Sequence, residues 1–136
     1  MKRLTILLAA LLAAGCAAGP PDSCPAGLTP GVRAEAFFGR SAAGVQVVDD
    51  AGWAAFLDQV VTPAFPDGLT VLDAAGQWRG STGQVAREAA KLLVVVLPGA
   101  DAAQAADRLA PVASEYRERF GQESVLLLAA PTCLRF

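Results

Sequence analysis

Six side chains have types and spacings that could line a ligand pocket: Trp53, Trp78, Arg79, Glu88, Lys91 and Tyr116. Trp78, Arg79, Glu88 and Lys91 fall on the two arms of one expected hairpin, where side chains meet across strands. Arg79, Glu88 and Lys91 would then line a polar pocket against Trp53 and Tyr116, at the mouth between a sheet and its helices. The plainer alternative is a cross-strand ion pair beside a core tryptophan, worth under about 1 kcal/mol when exposed. Histidine is absent, which removes the usual general base near neutral pH and the commonest metal ligand. No catalytic set is recognisable, and neither a metal nor a cofactor is expected.

Three other groupings have structural explanations. Asp49-Asp50 precedes an apolar helix, where a carboxylate caps the free N–H groups; no third ligand is near in sequence. Residues 76–83 are rich in glycine, but no lysine stands where a phosphate-binding loop needs one, and a strand follows instead of a helix. Hairpin turns demand the same glycines. Tyr116, Arg117 and Arg119 could grip an anion, yet Glu115 and Glu118 interleave them as on a solvated helix face.

The elements that must position these residues follow from periodicity. Residues 34–39 suit a short strand, and residues 45–48 an extended lead-in. Trp53, Phe56, Leu57, Val60 and Val61 then recur at the spacing of one helical face, stopped by Thr62-Pro63. A second strand is expected at 69–73, with a tight turn at Ala74-Ala75-Gly76 and a return through Gln77-Trp78-Arg79. Residues 91–97 form the most apolar strand, and their lack of alternation predicts burial on both faces. Asp101 with Gln104 resembles a capping box, and Leu109, Val112, Ala113, Tyr116 and Phe120 mark a second helix ending at Gly121. Pro111 should kink or split it. Residues 125–129 make the last main strand, continued or followed by an extra one at 133–136. Right-handed crossovers turn the order β-α-β-β-α-β into an α+β, ferredoxin-like split-βαβ sandwich: an antiparallel sheet with two helices on one face.

The beginning of the chain carries an address. Lys2 and Arg3 precede an unbroken apolar run at 4–14. Eleven helical residues rise about 16 Å, short of a hydrocarbon core of about 30 Å, so a signal peptide fits and a membrane span does not. The run closes on Leu12-Ala13-Ala14-Gly15-Cys16, which resembles the lipobox of bacterial lipoproteins, with alanine where leucine is usual. That resemblance implies a signal peptide at 1–15, acyl chains on Cys16 and a tether over 16–32. Ala17, in place of aspartate, implies release to the outer membrane, facing the periplasm. The competing reading is an ordinary signal peptide with Cys16 incidental.

Removing 15 residues from 136 leaves 121, room for one domain. Nine of the 11 basic residues then remain against 13 acidic ones, a net charge of −4. That balance argues against nucleic acid, which needs a basic face to displace counterions. Cys24 and Cys133 are left as an even pair in an oxidising compartment and read as a disulfide. The expected fold brings them close, because its first and last strands are neighbours. Closing so long a loop contributes about 4–5 kcal/mol in the chain-entropy limit.

Several stretches carry a family resemblance: Phe37-Phe38-Gly39-Arg40, Trp53-x-x-Phe56-Leu57, the run from Val61 through Gly76-Gln77-Trp78-Arg79, and Arg119-Phe120-Gly121-Gln122-Glu123-Ser124-Val125. Over residues 33–136 the chain resembles the exported bacterial proteins of domain-of-unknown-function family 3574. The resemblance implies a small secreted or lipid-anchored α+β domain and no particular activity. The expectation is therefore a non-catalytic, lipid-anchored periplasmic module that is envelope-associated or binds an envelope protein or a small ligand. The rival is a small metal-independent enzyme acting on an organic substrate, dimeric through an open sheet face.

Overall fold

The computed structural model describes residues 24–79 and 83–136. The expected signal peptide, Cys16 and the first part of the tether lie outside the described residues, as do Gly80, Ser81 and Thr82. Strand β1 spans Thr29–Gly39, so it begins inside the stretch expected to be tether. Its neighbours recruit those residues: Pro30 pairs with Cys133 and Gly31 with Pro98. Val32, Ala34, Ala36 and Phe38 point inward and are buried, while Arg33, Glu35 and Phe37 alternate onto the opposite face.

A small hairpin follows, β2 (Ser41–Ala42) and β3 (Val45–Gln46), where an extended lead-in was expected. Its two turn residues, Ala43 at φ 49° and Gly44 at φ 79°, both have the left-handed backbone that matches strand twist. Helix α1 (Asp50–Phe56) starts where the Asp49 carboxylate accepts the Gly52 N–H at 2.7 Å. It continues as a wide π turn, Leu57–Val61, and a last turn α2, Thr62–Ala64. The wide turn changes the expected register. Phe56 and Val61, five residues apart, are both fully buried, whereas Leu57 and Val60 are only half-buried.

Strand β4 runs Thr70–Arg79 and β5 runs Val85–Pro98. The turn expected at residues 74–76 does not form: Ala74, Ala75 and Gly76 pair with Ala90, Ala89 and Glu88. The long β5 offers a continuous ladder, which outweighs the local preference of glycine for a turn. Helix α3 spans Ala102–Phe120, with the Asp101–Gln104 capping box at its start and Gly121 at φ 62° closing it. It is unbroken through Pro111, which lies on the solvent side, where water can reach a carbonyl left without its helical partner. Strand β6, Leu126–Leu134, passes through Pro131 without interruption. Proline is tolerated there because β6 is an edge strand.

The four long strands form one antiparallel sheet in the order β4-β5-β1-β6. Phe38, Leu93 and Val95 of the sheet join Trp53, Phe56, Leu109 and Tyr116 of the helices in one core. The fold is thus mixed α+β, with the β2–β3 hairpin inserted into the expected order of elements. Cys24 and Cys133 form a disulfide, 5.6 Å between Cα atoms and 109 residues apart in sequence. It ties the approach to β1 onto the end of β6.

Among the described residues, the helices cover one face of the sheet and nothing covers the other. Leu93, Val95 and Leu97 are buried as expected, but Val96 on the other face is 40% exposed and Leu92 and Val94 are half-buried. The expectation of two-sided burial for this strand is therefore corrected. Its unalternating run supplies one face of the core and the middle of an uncovered apolar surface.

Candidate functional site

The mouth between sheet and helices is filled. Tyr116 packs against Phe38 at 4.7 Å, Phe120 at 4.9 Å and Phe56 at 5.0 Å between ring centroids, and Trp53 closes the cluster at 5.5 Å from Phe38. Trp53 is 5% exposed and Tyr116 fully buried, so neither lines a pocket. The Tyr116 hydroxyl donates to the Gly39 carbonyl at 2.8 Å. Burial pushes its phenol above the ordinary value of 10.0, with nearby Arg40 opposing the shift and Glu88 adding to it.

The other expected site residues divide. Lys91 lies on the helix side of the sheet, in the row Asp73–Lys91–Phe38, and its ammonium pairs with the Asp73 carboxylate. The hydrogen bond and charge of Lys91 hold that carboxyl below its ordinary 3.8. The Arg79 guanidinium at the end of β4 donates to the Gly83 carbonyl. Trp78 and Glu88 alone come together, and they do so on the uncovered face.

There a cleft of about 230 Å³ is lined by Phe37, Gly39, Gly76, Gln77, Trp78, Glu88, Ala90, Gln122, Glu123, Ser124 and Leu126. Its construction follows from the sheet register. Glu88 sits opposite Gly76 on β4 and near Gly39 on β1. A Cβ on Gly39 would stand 2.6 Å from Glu88 Oε1, so the bare glycine lets the carboxylate lie across the strand. Glu88 Oε2 accepts the Ser41 N–H at 2.9 Å, which fixes it against the hairpin. That hairpin is anchored by Arg40, whose buried guanidinium donates to the Val48 carbonyl at 2.8 Å and pairs with Asp50 at 2.8 Å.

Trp78, Glu88 and Glu123 also border an adjoining cleft of about 560 Å³ beside the hairpin. Arg87 reaches this second cleft, while among the described residues the walls of the first carry two carboxylates and no basic side chain. Gln122 adds a buried side-chain N–H₂ group without a hydrogen-bond partner among the described residues. An indole beside carboxylates suits an organic cation with an apolar body, through ring-face attraction and charge-assisted hydrogen bonds.

The remaining groupings do not converge. Asp49 caps α1, Asp50 is spent on Arg40, and Arg119 pairs with Glu115 at 2.9 Å. Among the described residues no three acidic or cysteine side chains gather as metal ligands. Residue-by-residue reading missed Gly39, Gly76, Gln122 and Glu123 as site residues. A signal was nevertheless available: Phe37-Phe38-Gly39-Arg40, Gly76-Gln77-Trp78 and Gln122-Glu123-Ser124, three of the stretches that carry the family resemblance, all meet at this cleft.

No curated protein matches the chain. Solved structures that share its fold include two phage enzymes. A phage SAM lyase in complex with S-methyl-5′-thioadenosine superposes with a TM-score of 0.58 at 16% identity, covering 76% of this chain and 88% of the lyase. A phage SAM lyase in the apo state gives 0.55 at 16% identity, covering 77% and 89%. At that identity the likeness is one of fold. By sequence, residues 33–136 match the family described as Protein of unknown function (DUF3574), and the chain belongs to it.

Proposed function

We propose that this chain is a binding module held at a bacterial envelope surface by acyl chains on Cys16, outer membrane and periplasm-facing, and that it uses the Trp78–Glu88 cleft to hold a small organic cation with an apolar body. We read its four long strands, apart from the inserted hairpin, as a ferredoxin-like split-βαβ arrangement. The observation that carries the ligand reading is the lining of the smaller cleft, where Trp78 stands with Glu88 and Glu123 and, among the described residues, no basic side chain lines it. Two acidic groups around an aromatic ring repel anions and favour a cation that can shed its water against the indole. Both tryptophans emit, but Trp53 is 5% exposed and Trp78 37%, so a ligand-dependent change in emission is read as a change at Trp78.

A second reading is favoured by the fold neighbours. SAM is itself an organic cation, so in the second reading an enzyme would take a sulfonium compound in the same cleft, with Glu88 facing its charge. One titration addresses both. The full chain is titrated with SAM and with uncharged S-methyl-5′-thioadenosine while Trp78 emission is followed and product formation is monitored. Binding of SAM that weakens about tenfold in Glu88→Gln supports the cation site. Turnover would establish the enzyme reading. Equal affinity for charged and uncharged compounds, unchanged in Glu88→Gln, defeats the charge argument. The address has its own test: entry of radiolabelled palmitate into the chain, and a mobility shift with globomycin.

A further inference from the structure

We propose that the uncovered face of the sheet is closed by a second copy of this chain, related by a twofold axis. The inference rests on the face itself and stands apart from the ligand reading. Four strands about 4.8 Å apart and about ten residues long present an area of about 600 Å². Two such faces together bury about 1,200 Å², the lower bound of a specific, stable interface. That area also matches the largest apolar patch a soluble monomer normally shows to water.

Its composition suits self-association. Leu72, Trp78, Val96, Leu126 and Leu128 are between 37% and 57% exposed, and half-buried Leu92 and Val94 connect them. At the register positions of this face only Arg33, Glu35 and Glu88 carry charge. Arg33 and Glu35 neutralise each other at 2.7 Å, so identical copies meet there without net repulsion, and Glu88 lies at the far end. Large and small residues also alternate: Trp78 is followed along the face by Gly76 and Ala74, and Leu128 by Ala130. Such a surface interdigitates with a copy of itself at the usual sheet-to-sheet spacing. An isologous contact uses the same patch twice and closes at two copies. The Trp78–Glu88 cleft opens on this face, so the second copy would also roof it.

The test uses the full chain in the envelope of cells that express it. A photo-cross-linking amino acid is placed at Val96 or Leu128 on the face, and at Ala106 on the solvent side of α3 as control. Irradiation is expected to give a species of twice the monomer mass from Val96 and Leu128 and none from Ala106, and Leu126→Glu is expected to abolish it. Leu126 is 57% exposed, so this change leaves the fold intact, and protection of Cys24 and Cys133 from thiol labelling verifies that. Absence of the doubled band from both face positions, an equal band from Ala106, a band that survives Leu126→Glu, or a product of another mass would overturn the proposal. No ligand enters the readout, so failure of the cation reading leaves this result standing. Failure of the dimer, in turn, leaves the ligand titration of the chain interpretable.

Discussion

Glu88 lies over Gly39: a methyl group at residue 39 would stand 2.6 Å from one carboxylate oxygen and 2.9 Å from the carboxyl carbon. The other oxygen is bound by the Ser41 amide, so the glycine and the acid define one wall of the cleft between them. Gly39→Ala must displace Glu88, and because the displaced atoms end a flexible side chain, the fold gives way cheaply. Stability is expected to fall by about 1 kcal/mol or less, while affinity for a cationic ligand falls about tenfold. Denaturant unfolding and Trp78 fluorescence titration separate the two. Parallel losses in both would argue that Glu88 only braces the hairpin.

Tyr116 is the only tyrosine, and its hydroxyl reaches the Gly39 carbonyl from the core side. Tyr116→Phe is expected to cost about 1 kcal/mol at neutral pH through that lost hydrogen bond. The folded phenol titrates above its ordinary value of 10.0. Its contribution is therefore complete below pH 10 and is lost as pH rises further, since the unfolded chain releases the proton first. The stability gap between wild type and Tyr116→Phe should narrow above pH 10. Ionisation of the phenol, read by ultraviolet absorbance, should coincide with unfolding. A tyrosine that ionised in the folded protein near its ordinary value would contradict the buried placement.

Asp73 behaves in the opposite sense. Lys91 lowers its carboxyl below 3.8, so the pair stabilises the fold above that pH and the contribution disappears as acid protonates the folded carboxylate. Asp73→Asn should lower the melting temperature slightly at neutral pH and leave it unchanged in strong acid. The Asp73 side chain is 85% exposed, so the neutral-pH difference should shrink in high salt.

The disulfide spans 109 residues and joins the two ends of the described domain. Replacing Cys24 and Cys133 together by serine is expected to cost about 2–5 kcal/mol in denaturant unfolding. The sheet register itself should survive, because β1 and β6 remain paired from Pro30 outward. An unchanged midpoint would place the bond outside the cooperative unit.

What the sequence by itself determined was local or covalent. An aspartate of the Asp49-Asp50 pair caps α1, Asp101 caps α3 and Gly121 ends it, and Cys24 and Cys133 form the expected pair; each needs only the chemistry of a few residues. The inward alternation of Val32, Ala34, Ala36 and Phe38 came from pairing with β5 and β6, whose register no single strand contains. Ala74-Ala75-Gly76 reads locally as a turn and becomes strand because β5 lies alongside it. Residues 91–97 look buried on both sides because apolar side chains are identical in sequence whether helices, a second copy or water covers them. The site was decided the same way. Trp53 and Tyr116 share aromatic character with Trp78, but the helices carry the first two into the core while the sheet turns Trp78 outward beside Glu88. Which face a residue occupies depends on partners distant in the chain, and only the assembled sheet specifies them.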